Sequence, residues 1–468
     1  MSLLDVVLQG RHLQELRMLL ERPDGTEAAA YLLCGQSLIG RDPWERRTRR
    51  RLTSYEVVPI PTSAGDSASA THITWSTDSF VKLLRRARDE YLVAGIIHTH
   101  PNGPAVFSEQ DDGNERDLLQ LARNRNGGET DLLSMLWAKD AELRARVWEH
   151  PKQPTDAEVV TIVGQLLQFH YRASAPGTLE AFARQSLAFG PKLTAQLRRL
   201  RIAVVGCGGT GSATALLLAR LGVGNLLLID EDIVDVTNLN RLHGATRADA
   251  DAMRSKVEVL AREIAGMALG TRVVALQAWV GDPKVRDALK SCDIIFGCTD
   301  DHDGRLLLNR LAYFYLIPVI DLGLAIDAAP GGGVRDLTGR VTLLEPGAPC
   351  LLCRQIIDAI TARDESLRRR HPEEYERRKR EGYIRGGGEP APAVVTFTTA
   401  TACLAVDELL QALTEFRGRE GSVWQRVRRF DLMTDRRPGA TPDPTCPVCS
   451  DRTYWGRADV EPFLDRAG

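Results

Sequence analysis

The sequence predicts two α/β units in one chain: an N-terminal α+β domain over residues 1–150, and a C-terminal domain built on a mainly parallel sheet with helices on both faces. Three observations predict it. From residue 201 onward, short apolar runs alternate with helically spaced segments, the rhythm of parallel strands joined by crossover helices. In the first part, the strand candidate YLVAGII ends at His98 and His100, side chains that ligate metals. Two CxxC pairs flank the second half of the later unit.

Taken in order, HLQELRMLL has helical spacing, AAAYLLCG reads as a buried strand, and a polar stretch with Pro, Ser and Gly follows. SFVKLLRRARDE is a helix that leads into YLVAGII, and RDLLQLARN and LLSMLWAKD add a helix and a strand. PKQPTD breaks the pattern. VVTIVGQLLQFHYRA reads as helix, so residues 151–175 are expected to form a linker helix ahead of the domain 176–468. There RIAVVG, NLLLIDED, VVALQAWV, CDIIFGCTD and IPVIDLG are strands, and SATALLLARLG, SKVEVLAREIAG and LLLNRLAYFYL are helices. Residues 362–381 are dense in charge and read as a solvated helix or mobile insert. VTFTTATACLAVDELLQALTEF returns to buried strand and helix.

A chain of 468 residues has room for two to four domains with proper cores. Its net charge of −2 gives no global pull toward nucleic acid or acidic lipid, so neither is expected as a partner. MSLLDVVLQGRHLQ lacks the features of a secretory signal, and no run approaches the roughly 20 apolar residues of a membrane span. A soluble, cytoplasmic protein is expected. Five of the nine cysteines are scattered singly, and the paired four have metal-site rather than disulfide spacing.

The stretch IIHTHPNGPAVFSEQDD carries the first chemistry. A lone HxH reads as two satisfied histidines at a strand end. Here a short break in strand geometry is expected to bring both rings to one point. With Asp111 they would offer zinc three ligands and leave a fourth position for water, with Glu27 as a nearby base and the Ser108 hydroxyl as a donor to an oxyanion. HxH, seven residues, then SxxD resembles the JAB/MPN metalloprotease signature, the JAMM motif. The resemblance implies that His98, His100 and Asp111 ligate a catalytic zinc, that Ser108 is the oxyanion partner, and that Glu27 is the general base, with Glu21 lying near. Members are isopeptidases or processing proteases acting at the C-terminus of ubiquitin and related small proteins.

The second chemistry lies in VVGCGGTGSATALLLARLG, where Gly206, Gly208 and Gly211 stand in GxGxxG order and Asp230 closes the next strand. This alone fits a Rossmann-like dinucleotide site and a nicotinamide dehydrogenase. Three features weigh against that. Asp230, Asp232, Asn238 and Arg241, then Lys256, cluster after the second strand, as suits a triphosphate attacked at its α phosphorus. Asp300 stands at the mouth of a later strand, where a carboxylate can hold magnesium. The extra Gly209 and Ser212 make the loop GxGGxGS.

Together these residues resemble the ThiF/MoeB adenylyltransferase family, relatives of ubiquitin-activating enzymes, whose signature continues in TD followed by Arg305 and Asn309. The resemblance implies that a small protein's C-terminal carboxylate attacks the α phosphate of ATP, giving an acyl adenylate and pyrophosphate. Asp230 would bind ribose, Asp232 and Asp300 would serve nucleotide and Mg2+, and Asn238, Arg241 and Lys256 would hold the phosphates. FARQSLAFG looks like a degraded RYxRQ opening, which makes Arg184 the arginine that reaches ATP across a dimer interface. The family implies a homodimer. A nucleotide-like fold without activity is the bland alternative.

Cys350, Cys353, Cys446 and Cys449 describe a closed structural zinc site, against which stands a redox pair. Thioester-forming members usually carry a cysteine in the loop before the penultimate helix, and residues 382–395 have none. Cys403 lies in an apolar stretch and is expected to be buried. The expectation is therefore a fusion that processes or deconjugates a ubiquitin-like protein and activates its C-terminus, passing it to an external nucleophile or conjugating enzyme. The alternatives are activation of a sulfur carrier for cofactor biosynthesis and a binding scaffold with one inactive domain.

Overall fold

The computed structural model describes residues 2–61, 68–69, 72–73, 77–174, 177, 179–329, 331–381 and 392–459. The N-terminal sheet has nine strands: β1 (Leu3–Gln9), β2 (Ala29–Ile39), β3 (Arg49–Pro59), β4 (Val93–His100), β5 (Leu132–Ala138), β6 (Leu143–Trp148), β7 (Thr155–Asp156), β8 (Val159–Val163) and β9 (Gln168–Tyr171). Their spatial order is β9-β8-β1-β3-β2-β4-β5-β6-β7. Helix α1 (Gly10–Leu20) lays Leu13, Leu16 and Leu20 on one face, against Leu8, Leu32 and Ile97. Helices α2 (Thr77–Asp89) and α3 (Glu109–Asn126) cover the other face, where Phe80, Leu84 and Leu119 meet Tyr31, Ala94 and Ile96. Because side chains alternate along a strand, the histidines that follow Ala94 and Ile96 at even positions belong to the α2/α3 face.

Three expectations change here. Residues 159–171 form no linker helix: VVTIV is strand β8, parallel to β1 in the register Asp5↔Val159 to Gln9↔Val163, and β9 returns antiparallel to it. A buried run of β-branched residues has no period that separates strand from helix, and here an open edge of the sheet claims it. Strand β1 occupies a stretch for which the sequence predicts no element, and β3 lies in the stretch read as polar. The sequence RRRLTSYE of β3 looks unlike a strand because its arginines are buried by ion pairs rather than by apolar contacts.

The second sheet contains β10 (Arg201–Val205), β11 (Asn225–Ile229), β12 (Arg272–Leu276), β13 (Ile294–Gly297), β14 (Val319–Ala328), β15 (Val334–Leu344), β16 (Gln425–Arg429) and β17 (Thr434–Arg436). The order is β12-β11-β10-β13-β14-β15-β16-β17. The first five are parallel and the last three antiparallel. The longer helices of the domain are α4 (Ala183–Leu197), α5 (Gly209–Leu221), α6 (Lys256–Gly266), α7 (His302–Phe314), α8 (Ala359–Arg370), α9 (Pro372–Arg380) and α10 (Val395–Thr414). Ile202 and Val204 face Leu218, Leu260 and Leu409, while Ala203 and Val205 face Leu306, Leu307 and Leu311, so both faces are covered as expected.

VTFTTATACLAVDELLQALT is one helix rather than strand plus helix. Its threonines return hydroxyl bonds to the preceding turn, Thr398 to Val395 O at 3.0 Å and Thr401 to Phe397 O at 2.8 Å. Its small buried residues, Ala402 and Ala405, let it lie close in the core. Cys403 lies on the opposite side of this helix and is exposed, contrary to expectation. The charged segment is two helices, and α8 is docked: Arg369 bonds Asp301 at 2.6 Å and Asp303 at 2.9 Å and stacks on Trp279.

The domains join through a buried ionic network. Asp5 and Asp293 share Arg201 at 2.9 and 2.8 Å, Asp5 and Asp42 share Arg49 at 2.7 Å each, and Arg51 donates to Cys292 O at 2.7 Å. Around it, Gly40 N donates to Asp287, Lys290 to Leu38 O, and Arg457 to Glu90 O. Among the described residues, no helix is long and apolar enough to cross a membrane.

Candidate metal and nucleotide sites

His98 and His100 end an unbroken strand, and residues two apart on a strand point to one face, so the expected break in geometry is not needed. The third group comes from the first turn of α3. Ser108 is its N-cap: Asp111 N donates to Ser108 Oγ at 3.1 Å, while Ser108 N and Oγ donate to Asp111 Oδ2 at 2.6 and 2.8 Å. The SxxD spacing is thus a capping box that fixes the carboxylate. Asp111 Oδ1 lies 3.2 Å from His98 Nε2, and its Oδ2 lies 3.5 Å from His100 Nε2. One ligand atom from each of the three falls within 4.8 Å of the others.

Burial pushes the Asp111 carboxyl up, but neighbouring His98 and the Ser108 donors outweigh it and hold the group well below the usual range. Burial and neighbouring His98 lower His100, whose ring also bonds the Pro104 carbonyl. His98 Nε2 is buried without a well-directed hydrogen bond. A neutral imidazole, a second with an orphaned nitrogen and an ionised carboxylate are a donor set that fits tetrahedral zinc with one open position.

Glu27 is half-buried one residue before Ala28, whose N donates to Thr99 Oγ1 at 2.9 Å, and Ala29 pairs with His98. Continuing that register sets Glu27 level with His100. Glu21 instead caps α1 and pairs with Arg17 at 3.9 Å. The Ser108 hydroxyl carries one proton, and it is engaged with Asp111 rather than pointing at an open position.

In the second domain the glycine loop joins β10 to α5. Gly206 has φ +86°, and a Cβ there would lie 2.7 Å from the Cys298 carbonyl carbon; one at Gly211 would lie 1.8 Å from Gly206 O. Those two glycines are required by the fold itself. A Cβ at Gly208 would meet nothing within 4 Å, so packing does not require glycine there, whereas close approach of a phosphate would. Gly209 lies under the Arg241 side chain. Ser212 is buried and accepts from His243 N at 3.2 Å, tying the loop to the NLNR segment.

Asp230 accepts from Cys207 N at 2.6 Å and Asp232 N at 2.8 Å, and burial raises its pKa. Lys256 bonds Asp232 at 2.7 Å and lies 4.0 Å from Asp230; burial lowers its pKa, but the two acids raise it further, so it stays charged. Asn238 closes a capped turn by accepting from Asp235 N at 3.2 Å, and Arg241 donates to Thr237 O at 2.7 Å. Asp300 is exposed at the C-terminal end of β13, and its carboxylate has no bond among the described residues. Its neighbour Asp301 is held by Thr299, Trp279 and Arg369. The structure therefore gathers the glycines, Asp230, Asp232, Asn238, Arg241, Lys256 and Asp300 at one end of the sheet.

Arg305 stands beside this group, donating to Asp300 O at 3.5 Å and lying 3.5 Å from Asp321. Two other motif residues lie elsewhere. Buried Asn309 accepts from Leu351 N at 3.0 Å, bracing the first cysteine pair. Arg184 sits beside Gln185, which bonds Leu221 O at the C-terminal end of α5. A helix of 13 residues is about 20 Å long, so Arg184 does not join the glycine loop of its own chain. Sequence reading missed Arg369 and Trp279, which no local pattern marks, and Glu115, which the i+4 spacing from Asp111 could have revealed.

Cys350 and Cys446 have sulfurs 3.5 Å apart, and those of Cys353 and Cys449 are 3.4 Å apart. A disulfide is about 2.05 Å long. Four thiolates at about 2.3 Å from one zinc stand about 3.8 Å apart, close to the spacing seen. The four could bind zinc.

A family model described as "ThiF family" matches residues 182–449, and one described as "Prokaryotic homologs of the JAB domain" matches residues 10–149. The SAMP-activating enzyme E1 of Haloferax volcanii is 30% identical over 164 residues, 35% of this chain and 56% of that protein. The molybdopterin-synthase adenylyltransferase of Escherichia coli (strain K12) is 29% identical over 161 residues, 34% of this chain and 59% of its own length. The chain thus spans little more than half the length of either relative. A solved structure, E. coli MccB with MccA-N7isoASN, overlaps 59% of this chain and 76% of its own at 19% identity and a TM-score of 0.45. With the larger match covering more than half of the sequence, the chain belongs to the ThiF family and carries a prokaryotic JAB-homologue domain ahead of it.

Proposed function

We propose that this protein is a bifunctional enzyme: a zinc peptidase or isopeptidase that cuts at the C-terminus of a ubiquitin-like protein, and an adenylyltransferase that activates the freed carboxylate with ATP. The observation that carries the reading is the pairing, in one chain, of the His98–His100–Asp111 trio with the lysine, arginine and carboxylates gathered around Gly208. Relatives named as a SAMP-activating enzyme and a molybdopterin-synthase adenylyltransferase support a small-protein substrate.

In the peptidase, zinc would be held by His98, His100 and Asp111, where it supplies a Lewis acid and an acidified water. Glu27 takes the proton of the attacking water and returns it to the leaving amine. Ser108 is the candidate donor to the oxyanion, at the expense of its bond to Asp111. In the second domain a carboxylate oxygen of the small protein attacks the α phosphorus of ATP, the bond to the bridging β-phosphate oxygen breaks, and pyrophosphate leaves. Lys256, Arg241 and Asn238 bind phosphate oxygens, Asp230 binds the ribose, and Asp232 and Asp300 would hold magnesium. Arg184 would act on the site of a second copy in a homodimer.

Pyrophosphate exchange dependent on a ubiquitin-like protein, with two zinc ions per chain and cleavage of a C-terminally extended precursor, is the expected result. No exchange with any candidate small protein, together with zinc at the cysteines alone, would overturn the reading in favour of a binding scaffold. A second outcome is favoured by the thiols: Cys34, Cys207, Cys292 and Cys298 are buried or raised by burial, and burial with nearby Asp407 also raises exposed Cys403, which leaves none of the five activated as a nucleophile. The adenylate is therefore passed outward, to a conjugating enzyme or to a sulfur donor, and mass analysis of the product C-terminus separates conjugate from thiocarboxylate.

A further inference from the structure

Beneath the His98–His100–Asp111 trio lies an ionic cluster that no step above uses. Glu115 follows Asp111 by four residues on α3, on the same helix face, and is only 3% exposed. Ser134 donates to its Oε1 at 2.5 Å, Trp148 Nε1 to its Oε2 at 2.5 Å, and Arg146 Nε to its Oε2 at 2.8 Å. Ser134 and Arg146 are direct cross-strand partners on β5 and β6, and Ser134 is level with Ile96 on β4, two residues before His98. Arg146 also bonds Asp112 at 2.7 Å and lies 3.9 Å over the ring of Phe107, which is 6.2 Å from the His98 ring.

A buried carboxylate–guanidinium pair is a poor way to gain stability, since apolar side chains of similar volume do as well or better. What it does supply is a fixed position. Apolar packing alone lets a helix rotate or slide by fractions of an ångström, whereas Glu115 must meet donors from two strands at once. Those strands continue the sheet beside β4, which presents both imidazoles, and the helix so pinned presents the carboxylate.

We propose that Glu115 and Arg146 are positioning residues of the metal site, setting the first turn of α3 against β4 so that Asp111 meets His98 and His100. The proposal rests on the reading of that trio as a zinc site. Glu115 touches neither the metal nor the substrate, and acts through the helix that carries the ligand. Groups that orient metal ligands typically change affinity by about 10- to 100-fold when altered.

The test uses the full chain and zinc alone, with the cysteine site as an internal reference. Zinc per chain is measured by titration against chelators of graded strength for the wild type and for Glu115→Gln, Arg146→Lys and Asp112→Asn. The wild type is expected to hold two ions, and Glu115→Gln to bind the weaker one about 10- to 100-fold less tightly while the cysteine-held ion and the melting temperature of the second domain are unchanged. Arg146→Lys, which keeps the charge but not the forked stack on Phe107, should fall between the two. Asp112→Asn alters a half-exposed carboxylate that the fold can spare, and should give a smaller loss in the same direction if Glu115→Gln fails to fold. Two ions bound with unchanged affinity in the folded variants would overturn the positioning role alone. A wild type that holds one ion, lost on mutating the cysteines, would overturn the zinc reading of the trio and the proposal with it.

Discussion

Arg201 Nη2 lies 2.9 Å from Asp5 Oδ2, joining the first strand of the second sheet to the first strand of the chain. Asp5 is 1% exposed. Burial pushes its carboxyl up, but Arg49, Arg201 and Arg51 outweigh this and hold it well below the ordinary value. A carboxyl depressed in the folded state binds fewer protons than in the unfolded chain, so its stabilisation is present above about pH 4 and is lost as the pH falls further. Asp5→Asn leaves three guanidiniums facing two acids and should cost about 3–5 kcal/mol at neutral pH. Urea melts should show the gap from wild type narrowing below about pH 4. A gap that is absent, or that widens in acid, would contradict the assignment.

The cysteine cluster is expected to brace this junction as well as its own domain. Immediately after Cys446 and Cys449 the chain passes between the two units: Gly456 O accepts from Thr53 Oγ1 at 2.7 Å, Ala458 pairs with Gln36, and Asp459 accepts from Leu38 N at 2.7 Å. Cys449→Ser, or stripping of zinc by a strong chelator, should therefore expose both domains to limited proteolysis near residues 440–459. Resistance equal to that of the zinc-loaded protein would show that the tail is held by packing alone.

Cys403 should prove dispensable. Burial and the nearby Asp407 raise its thiol above the ordinary value, so little thiolate forms near neutrality. Cys403→Ala is expected to leave pyrophosphate exchange unchanged, and the wild type to form no reductant-sensitive adduct with the activated small protein. A thioester lost in that variant would place the transfer step on this chain after all.

What could be read ahead of the structure was whatever is local in sequence. His98, His100 and the glycine loop each sit within a few residues of one strand end, and Asp111 follows in the first turn of the next helix at a spacing visible in the sequence; CxxC spacing is likewise local. What could not be read depends on distant partners. The arginines of β3 look like a loop until Asp5, Asp42 and Asp293 are placed beside them. VVTIV looks like helix until β1 offers an edge, and Cys403 looks buried until α10 turns its other face to the core. Ser108 shows the opposite limit: its spacing to Asp111 was seen, but the capping box that explains the spacing was not.

The two proposed activities should separate by mutation and should not be channelled. Glu27→Ala is expected to abolish cleavage and spare adenylation, and Asp300→Ala to do the reverse; loss of both in each variant would tie the domains together functionally. The contacts between domains lie at the N-terminal ends of β10, β12 and β13, through Arg201, Arg272 and Asp293, whereas Gly206, Asp230 and Asp300 follow the C-terminal ends. On the other side Leu38 touches Lys290, while His98 pairs with Ala29, nine residues and about 30 Å further along β2. Both sites thus lie away from the junction, and a trimmed tail is expected to leave one before it reaches the other. Labelled precursor supplied with excess unlabelled mature protein should give adenylate diluted to the bulk ratio. Label retained in the adenylate against that excess would reveal a hand-off that bypasses solvent.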